Sequence, residues 1–529
     1  MGVYLNPGNK SFQDSLNSKI YVDKTDLLSF TNAVLNTEQK YLCVSRPRRF
    51  GKSMALNMLA AYYGRDADSG TQFQGLQISK SADYKKHLNQ YDVIKMNMQE
   101  FLSGSDNLQD MLRRLKDYLL FDLEEEYHSI RLRDRNHLPQ VMKDIYAKTR
   151  RPFIVLIDEW DCLLREHRRE EEQKAYLDFL RSWLKDQEFT ALVYMTGILP
   201  IKKYGTHSAL NMFSEYSMTN PRVLAPYFGF TEEETRQLCS TFHKSFEEIS
   251  AWYDGYRLAG IYHGQPFRYS IYNPKSVVDA LLGGVLDTYW NNTETYEALK
   301  IYIQMNMDGL KDAVISLLGG GFVPVNTGTF HNDMTTFSSK DDVLTLLVHL
   351  GYLNYNAGDH TVSIPNKEVA AEFENAIRTM NWSAIAQLLR DSRQLLIALW
   401  DLDAESASAG VDSAHDQFPA ITYNNENSLS CTIQLAFYFA REYYTMVREL
   451  PTGKGFADLC LIPRRVHAEK PAAIIELKWD QSAKGALDQI KEKNYGNSLS
   501  DYHGYLLLAG INYDRKTKVH TCRIEKVKL

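Results

Sequence analysis

A five-residue run, YLCVS (Tyr41–Ser45), passes through RPRRF into Gly51-Lys52-Ser53 and on into KSMALNMLAAYY, which stops at Gly64. Little else in the chain restricts its fold so tightly. An apolar strand that turns at once into an apolar helix must be covered on both faces, which demands further strands beside it. Residues 1–225 supply them: YDVIKMNM (91–98), FIVLID (153–158) and ALVYMTG (191–197), each short, apolar and β-branched or aromatic. Charged helical stretches such as LQDMLRRLKDYLLFDLEEEY lie between them. That alternation predicts a parallel α/β sheet.

The turn itself closes the phosphate-loop pattern G-x-x-x-x-G-K-[ST], except that Arg46 stands where the first glycine belongs. Such a loop needs inward-facing backbone N–H groups, a helix N-terminus behind them and a lysine for the outer phosphates. Gly51 would let the backbone approach the phosphate, Lys52 would neutralise it and Ser53 would hold Mg²⁺. Pro47 fixes φ and stiffens a turn that glycine normally makes. Arg46, Arg48 and Arg49 are open to three readings, facing phosphates, a neighbouring protomer or solvent, with at least one expected to be structural or solvent-facing. About a hundred residues later FIVLIDEWD ends a strand in Asp158-Glu159. This has the form of a Walker B motif, in which Asp158 orients the Mg²⁺ shell and Glu159 polarises the attacking water. ALVYMTG ends in Thr196, expected on a strand between the other two.

YVDKTDLLSF, SRPRRFGKSMALNMLAAYY, FQGLQIS, VLIDEWD and MTGILPI, together with WYDGYRL, YNPKSVVDAL and LDTYW, resemble the prokaryotic AAA-ATPase-like family that carries a C-terminal nuclease-superfamily domain. The resemblance covers nearly the whole chain. In that family Arg-Pro-Arg-Arg-Phe precedes Gly-Lys-Ser as a rule, so the resemblance implies a working loop in which Arg46, Pro47, Arg48, Arg49, Phe50, Gly51, Lys52 and Ser53 bind nucleotide. It also implies that Tyr21, Val22, Asp23 and Lys24 frame the pocket. Arg257 of WYDGYRL is implied either as a sensor arginine from a helical lid or as a structural residue. After MTGILPI the family commonly reads Ser-Gly-Leu-Asn-Asn, and HSALNMFSEYS departs from it.

The middle of the chain changes texture. GFTEEETRQLCSTF offers a capping box, Thr231 with Glu234, and residues to about 395 read mostly helical. SSKDDVLTLLVHLGYLNYNAGDHTVSIPN predicts a helix followed by a hairpin turning at NAGD, the outline of a winged helix. A packing role outweighs DNA reading for that outline. DAESASAGVDSAH (403–415) reads as linker or polar helix.

Towards the C-terminus helix and strand alternate again, and two apolar strands each carry an acid: Asp458 ahead of LCLIP and Glu476 within AAIIELK. A hairpin would bring both carboxylates to one edge, and the strand period puts Lys478 on the same face as Glu476. Two carboxylates beside an ammonium suit a divalent cation, Mg²⁺ or Mn²⁺, and a nucleophilic water at a phosphodiester. The pattern is similar to the PD-(D/E)XK superfamily. That resemblance implies Glu426 as the acid of the preceding helix, and Gln489 and Tyr495 as active-site residues of the following one. An arginine often found two residues before the aspartate is Phe456 here. Arg464, Arg465, Lys470, Lys484, Lys491 and Lys493 cluster nearby and would offset phosphate charge.

A net charge of −6 excludes a general basic coat, so nucleic acid, DNA foremost, must meet a local patch. The cysteines form no C-x-x-C pair, which points to reduced thiols and no zinc site. No apolar run approaches the ~18 residues of a membrane span, and MGVYLNPGNKSF lacks a signal core, so a cytoplasmic protein is expected. The expected architecture is an α/β P-loop AAA-ATPase-like domain (1–225), a helical lid and winged-helix-like region (226–395), and a PD-(D/E)XK nuclease-like domain (396–529). The expected activity is ATP hydrolysis coupled to a metal-dependent nuclease, directed at phage or mobile DNA on the strength of resemblance. The alternative is an ATP-dependent switch or scaffold that binds nucleic acid or protein without cutting. A homo-oligomer is expected if a neighbour's arginine completes the ATP site.

Overall fold

The structure is a computed structural model that describes all residues except 1, 167–168, 202–209, 263, 291–295, 306, 308, 319, 333, 335–336, 380–382, 417–432, 434–435, 452–455, 465–466, 493–504 and 529. It divides into two compact units: residues 1–294 with 324–369, and residues 295–323 with 370–529.

The first unit is built on five parallel strands: β1 (Tyr41–Ser45), β2 (Asp92–Asn97), β3 (Phe153–Asp158), β4 (Thr190–Gly197) and β5 (Ser214–Tyr216), in the order β2-β3-β4-β1-β5. Every residue of β1, β3 and β4 is buried, as contiguous apolar runs covered on both faces require. β4 lies between β1 and β3, pairing Val44 with Thr196 on one side and Ile157 with Met195 on the other. The C-terminal ends of the strand carrying the phosphate-loop pattern and of the strand carrying the two acids therefore flank the end of β4. The departing segment HSALNMFSEYS contributes the short β5, whose three residues are too few to stand out in the sequence.

In the second half of this unit, Thr231 caps the helix Glu232–Thr241 in the expected capping box, with Glu234 reaching back to the Thr231 amide at 2.7 Å. The segment is less helical than its sequence reads. YRLAGIY (Tyr256–Tyr262) and QPFRYSIY (Gln265–Tyr272) form an antiparallel hairpin rich in aromatic and branched residues, and it buries Tyr256, Leu258, Ile271 and Tyr272. The helix Lys340–Leu350 is followed by the antiparallel hairpin Asn354–Asn356 with Thr361–Ser363, as expected. Residues 342–350 of that helix are all buried, which fits packing and leaves no face for a DNA groove.

The second unit centres on a mixed sheet of five strands in sequence order: β6 (Tyr444–Pro451), β7 (Phe456–Pro463), β8 (Ala472–Trp479), β9 (Tyr505–Asp514) and β10 (Val519–Lys528). Only β8 and β9 pair in parallel, and the helix Ala483–Glu492 lies between them in sequence. Its Leu487 and Ile490 pack with Cys460, Ile474, Leu506 and Leu508 in one buried cluster. The run 403–415 resolves as the helix Ala404–Asp416, with Ala407, Val411 and Ala414 buried.

Candidate functional site

The phosphate-loop candidate is the turn between β1 and the helix Lys52–Tyr63. Gly51 sits in the left-handed region at φ 91°, and a side chain added there would meet nothing within 4 Å, so the backbone faces open space. Arg49 shares the left-handed conformation at φ 65°, a strain that non-glycine residues adopt rarely. Lys52 is buried, with Nζ 3.0 Å from the Arg46 carbonyl oxygen and 2.9 Å from that of Pro47. Burial lowers its pKa, and Glu159 and Asp158 oppose that shift.

Arg46, in the missing-glycine position, is fully buried and does not line the cavity. Its Nη1 donates to the carbonyls of Ser45 and Tyr216, each at 2.8 Å, and its guanidinium lies 5.5 Å from the Phe228 ring centre. Burial pulls its pKa down to about 10. Arg46 thus ties the start of the loop to β5, leaving Arg48 and Arg49 at the cavity wall. Phe50 anchors the other end: its carbonyl accepts the Gly229 amide at 3.0 Å, and its ring meets Tyr256 edge-on at 5.3 Å. Tyr256 in turn donates to the Gly351 carbonyl at 2.6 Å. The loop is braced from behind by the hairpin and the buried helix.

Beside the loop, Asp158 at the end of β3 accepts from Ser53 Oγ at 2.6 Å and from Thr196 Oγ1 at 2.6 Å. A hydroxyl and a carboxylate in contact next to a lysine are hard oxygen donors of the kind Mg²⁺ takes. Glu159 follows at φ 52° and reaches the same cavity as Gly51, Lys52 and Ser53, a cleft of about 900 Å³. Its carboxylate is ion-paired with Arg165. Burial raises the Glu159 pKa, while Arg165 and Lys52 pull it back. The far wall is apolar and aromatic, with Ile20, Tyr21, Val22, Tyr227 and Phe230.

Lys24 lines the cavity, yet its ammonium is held by Glu234, 2.6 Å away, and by the Pro226 carbonyl at 2.6 Å. Asp23 lies outside the lining: it accepts from the amide and hydroxyl of Thr25 at 2.9 and 2.6 Å and from the Gln77 amide at 2.8 Å. These two residues fix the frame through protein contacts. Arg257 stands on a strand, paired with Asp254 at 2.8 Å, and its structural reading is the one the geometry favours.

Sequence reasoning passed over two further groups. Asp161, fully buried, accepts the amides of Ile198 and Leu199 at 3.0 and 2.7 Å, and Arg165 lies 3.3 Å from it. The spacing was available in DEWDCLLR, where Asp161 and Arg165 stand four apart on one helical turn.

In the second unit the candidate residues gather on β7 and β8. Leu459 pairs with Ile475, so continuing the ladder by one residue sets Asp458 across from Glu476. Asp458 accepts the Leu477 amide at 2.7 Å. Lys478 Nζ is 3.4 Å from Glu476 Oε1, and Gln489 donates to the same oxygen. Glu476 is 2% exposed. Gln489 comes within reach because Gly510, the β9 partner of Glu476, has no side chain: a Cβ there would collide with the Ala483 carbonyl and lie 3.0 Å from the Leu487 amide. Cys460, on the same strand as Asp458, has its thiol pKa pushed up to about 12 by burial and then by Glu476 and Asp458. Two carboxylates are present, and the described residues contain no group of three or more metal-ligating side chains. Glu426 and Tyr495 lie outside the described residues, as do Arg465 and Lys493. Lys470 stacks over Trp400 at 4.2 Å, and Lys491 pairs with Glu525 at 2.7 Å, so these two cations are engaged within the unit.

Residues 8–206 match the AAA-ATPase-like family, described as a predicted AAA-ATPase, and residues 424–522 match the PD-(D/E)XK nuclease superfamily. The chain is 23% identical over 527 residues to a protein named for its place in the vnfD 5′ region of Azotobacter chroococcum, covering 94% of this chain and 93% of that one. Among solved structures it is similar to the Walker-type ATPase paby2304 of Pyrococcus abyssi, at 13% identity and a TM-score of 0.35, covering 66% of this chain and 94% of that one. It is also similar to Cdc6p of Pyrobaculum aerophilum, at 10% identity and a TM-score of 0.20, covering 70% and 93%. Among the described residues no helix is long and apolar enough to cross a membrane.

Proposed function

We propose that this chain, an AAA-ATPase-like domain joined to a PD-(D/E)XK nuclease-superfamily domain, binds and hydrolyses ATP and uses its nucleotide state to govern cleavage of nucleic acid. The observation that carries the nuclease half is the convergence of Lys478 and Gln489 on one oxygen of Glu476, with Asp458 opposite on the neighbouring strand. Hard carboxylate oxygens fit a divalent cation there, and Asp458 and Glu476 would hold it. Bound in that place, Mg²⁺ or Mn²⁺ would stabilise charge on the reacting phosphate. Lys478, 3.4 Å from Glu476 Oε1, positions the attacking water, while Gln489 fixes the rotamer of Glu476.

For the ATPase half, Gly51 and Lys52 would take the phosphates, Ser53 and Asp158 would hold Mg²⁺, and Glu159 would draw a proton from the attacking water. The apolar far wall suits a nucleotide base. Pairing an ATP switch with a nuclease suits defence against phage or mobile DNA, and a plaque assay with and without the intact chain tests that role.

The biochemical test incubates the protein with DNA or RNA, Mg²⁺ or Mn²⁺, with and without ATP. Cleavage that requires metal and disappears in Lys478→Ala supports the nuclease reading. Binding of nucleic acid with no cleavage under any of these conditions leaves the scaffold reading instead.

A further inference from the structure

Glu159 occupies an awkward position. It is a non-glycine residue in the left-handed region, φ 52°, at the point where β3 turns into the four-residue helix Cys162–Arg165. A residue holds such a conformation only where its surroundings over-determine it. The surroundings do so here. The Glu159 carbonyl accepts the Cys162 amide at 3.1 Å, and the next amide, Trp160, donates to the Thr196 carbonyl at 3.0 Å. The side chain then leaves the turn towards the nucleotide cavity.

What the backbone leaves undetermined is the carboxylate's direction, and one side chain fixes it. Arg165 pairs with Glu159 Oε2 and is itself only 9% exposed. Its Nε lies 3.3 Å from Asp161 Oδ2, and that oxygen also receives the two amides that follow β4. A continuous chain of contacts therefore runs from the end of β4 through Asp161 and Arg165 to Glu159. Asp161 is fully buried and the Arg165 side chain nearly so, and of the three only Glu159 lines the cleft.

We infer that Arg165 is the positioning residue of the ATPase site, aiming the Glu159 carboxylate at the water that attacks the γ-phosphate. This rests on the ATPase reading above. In that reaction the water oxygen bonds to Pγ as the bond from Pγ to the β-bridging oxygen breaks. The water proton passes to Glu159 and leaves with the phosphate. Arg165 touches none of the reacting atoms, so its effect belongs to turnover and not to nucleotide affinity.

The test compares wild type, Arg165→Gln, Arg165→Lys, Glu159→Gln and the Arg165→Gln/Glu159→Gln double variant. Steady-state ATP hydrolysis is measured alongside the Kd of a fluorescent ATP analogue. Arg165→Gln is expected to lower kcat by about 10–100-fold through misplacement of the base, with the analogue's Kd unchanged within about twofold. Arg165→Lys, which keeps the charge and loses the planar fork, should recover part of the rate. In the Glu159→Gln background, removing Arg165 should change kcat no further, since its target is gone. A wild-type kcat in Arg165→Gln, a faster one, or a further multiplicative loss in the double variant overturns the inference. If Arg165→Gln fails to fold by circular dichroism, Arg165→Lys decides: wild-type kcat there overturns the inference as well. Absence of ATP hydrolysis by the wild-type protein would instead defeat the ATPase reading itself.

Discussion

Arg46 shows how one position can satisfy a loop without the expected glycine. Its buried guanidinium replaces conformational freedom with two fixed hydrogen bonds, so the loop's start is set by a side chain instead of a permissive backbone. Gly51 keeps the freedom where phosphate would lie. Two expectations follow at this scale. Lys52→Ala removes the buried ammonium held on the loop carbonyls and should abolish ATP binding, measured by titration with a fluorescent analogue; unchanged affinity would discredit the loop. Glu159→Gln should keep that affinity and lose about 10²–10⁴-fold in hydrolysis, the usual contribution of a positioned base. Equal hydrolysis by the variant would remove Glu159 from the chemistry.

At the scale of elements, two small features hold larger ones in place. The Thr231 hydroxyl and the Glu234 carboxylate close a capping box, and the same Glu234 holds Lys24 at the cavity wall. Thr231→Ala should cost about 1 kcal/mol of stability, read as a lower urea midpoint with the slope unchanged. Gly510→Ala places a methyl group against the backbone of the helix Ala483–Glu492. Overpacking of that kind costs about 1–3 kcal/mol, and the displaced helix should also withdraw Gln489 from Glu476 and lower cleavage. A variant with wild-type stability and cleavage would show that the helix's approach does not matter. Much of this was legible in the sequence. β1 to β4 read directly because strands buried on both faces are contiguous apolar runs, and the acids at their ends stand out against that background. The hairpin of Tyr256–Tyr262 and Gln265–Tyr272 did not, since its polar and aromatic residues mix without a clean alternation. Arg165 was hidden for a different reason. Its role depends on a left-handed turn at Glu159, which no local pattern announces.

At the level of the whole molecule, one chain carries an AAA-ATPase-like domain and a PD-(D/E)XK nuclease-superfamily domain, and each candidate site lies within its own compact unit. Saturating Mg-ATP should stabilise the protein by mass action, about 2.7 kcal/mol at a hundredfold excess over Kd, and raise the temperature of its first unfolding transition. Lys52→Ala should lose that rise and Lys478→Ala should keep it, a separation that calorimetry reads directly. Metal-dependent cleavage of labelled DNA by the wild-type protein and by Lys478→Ala, with ATP present and absent, tests whether the nucleotide site governs a working nuclease. Wild type is expected to cleave in a manner that responds to ATP, and Lys478→Ala, with its ATP affinity intact, is expected not to cleave. Cleavage that persists in Lys478→Ala would contradict that expectation.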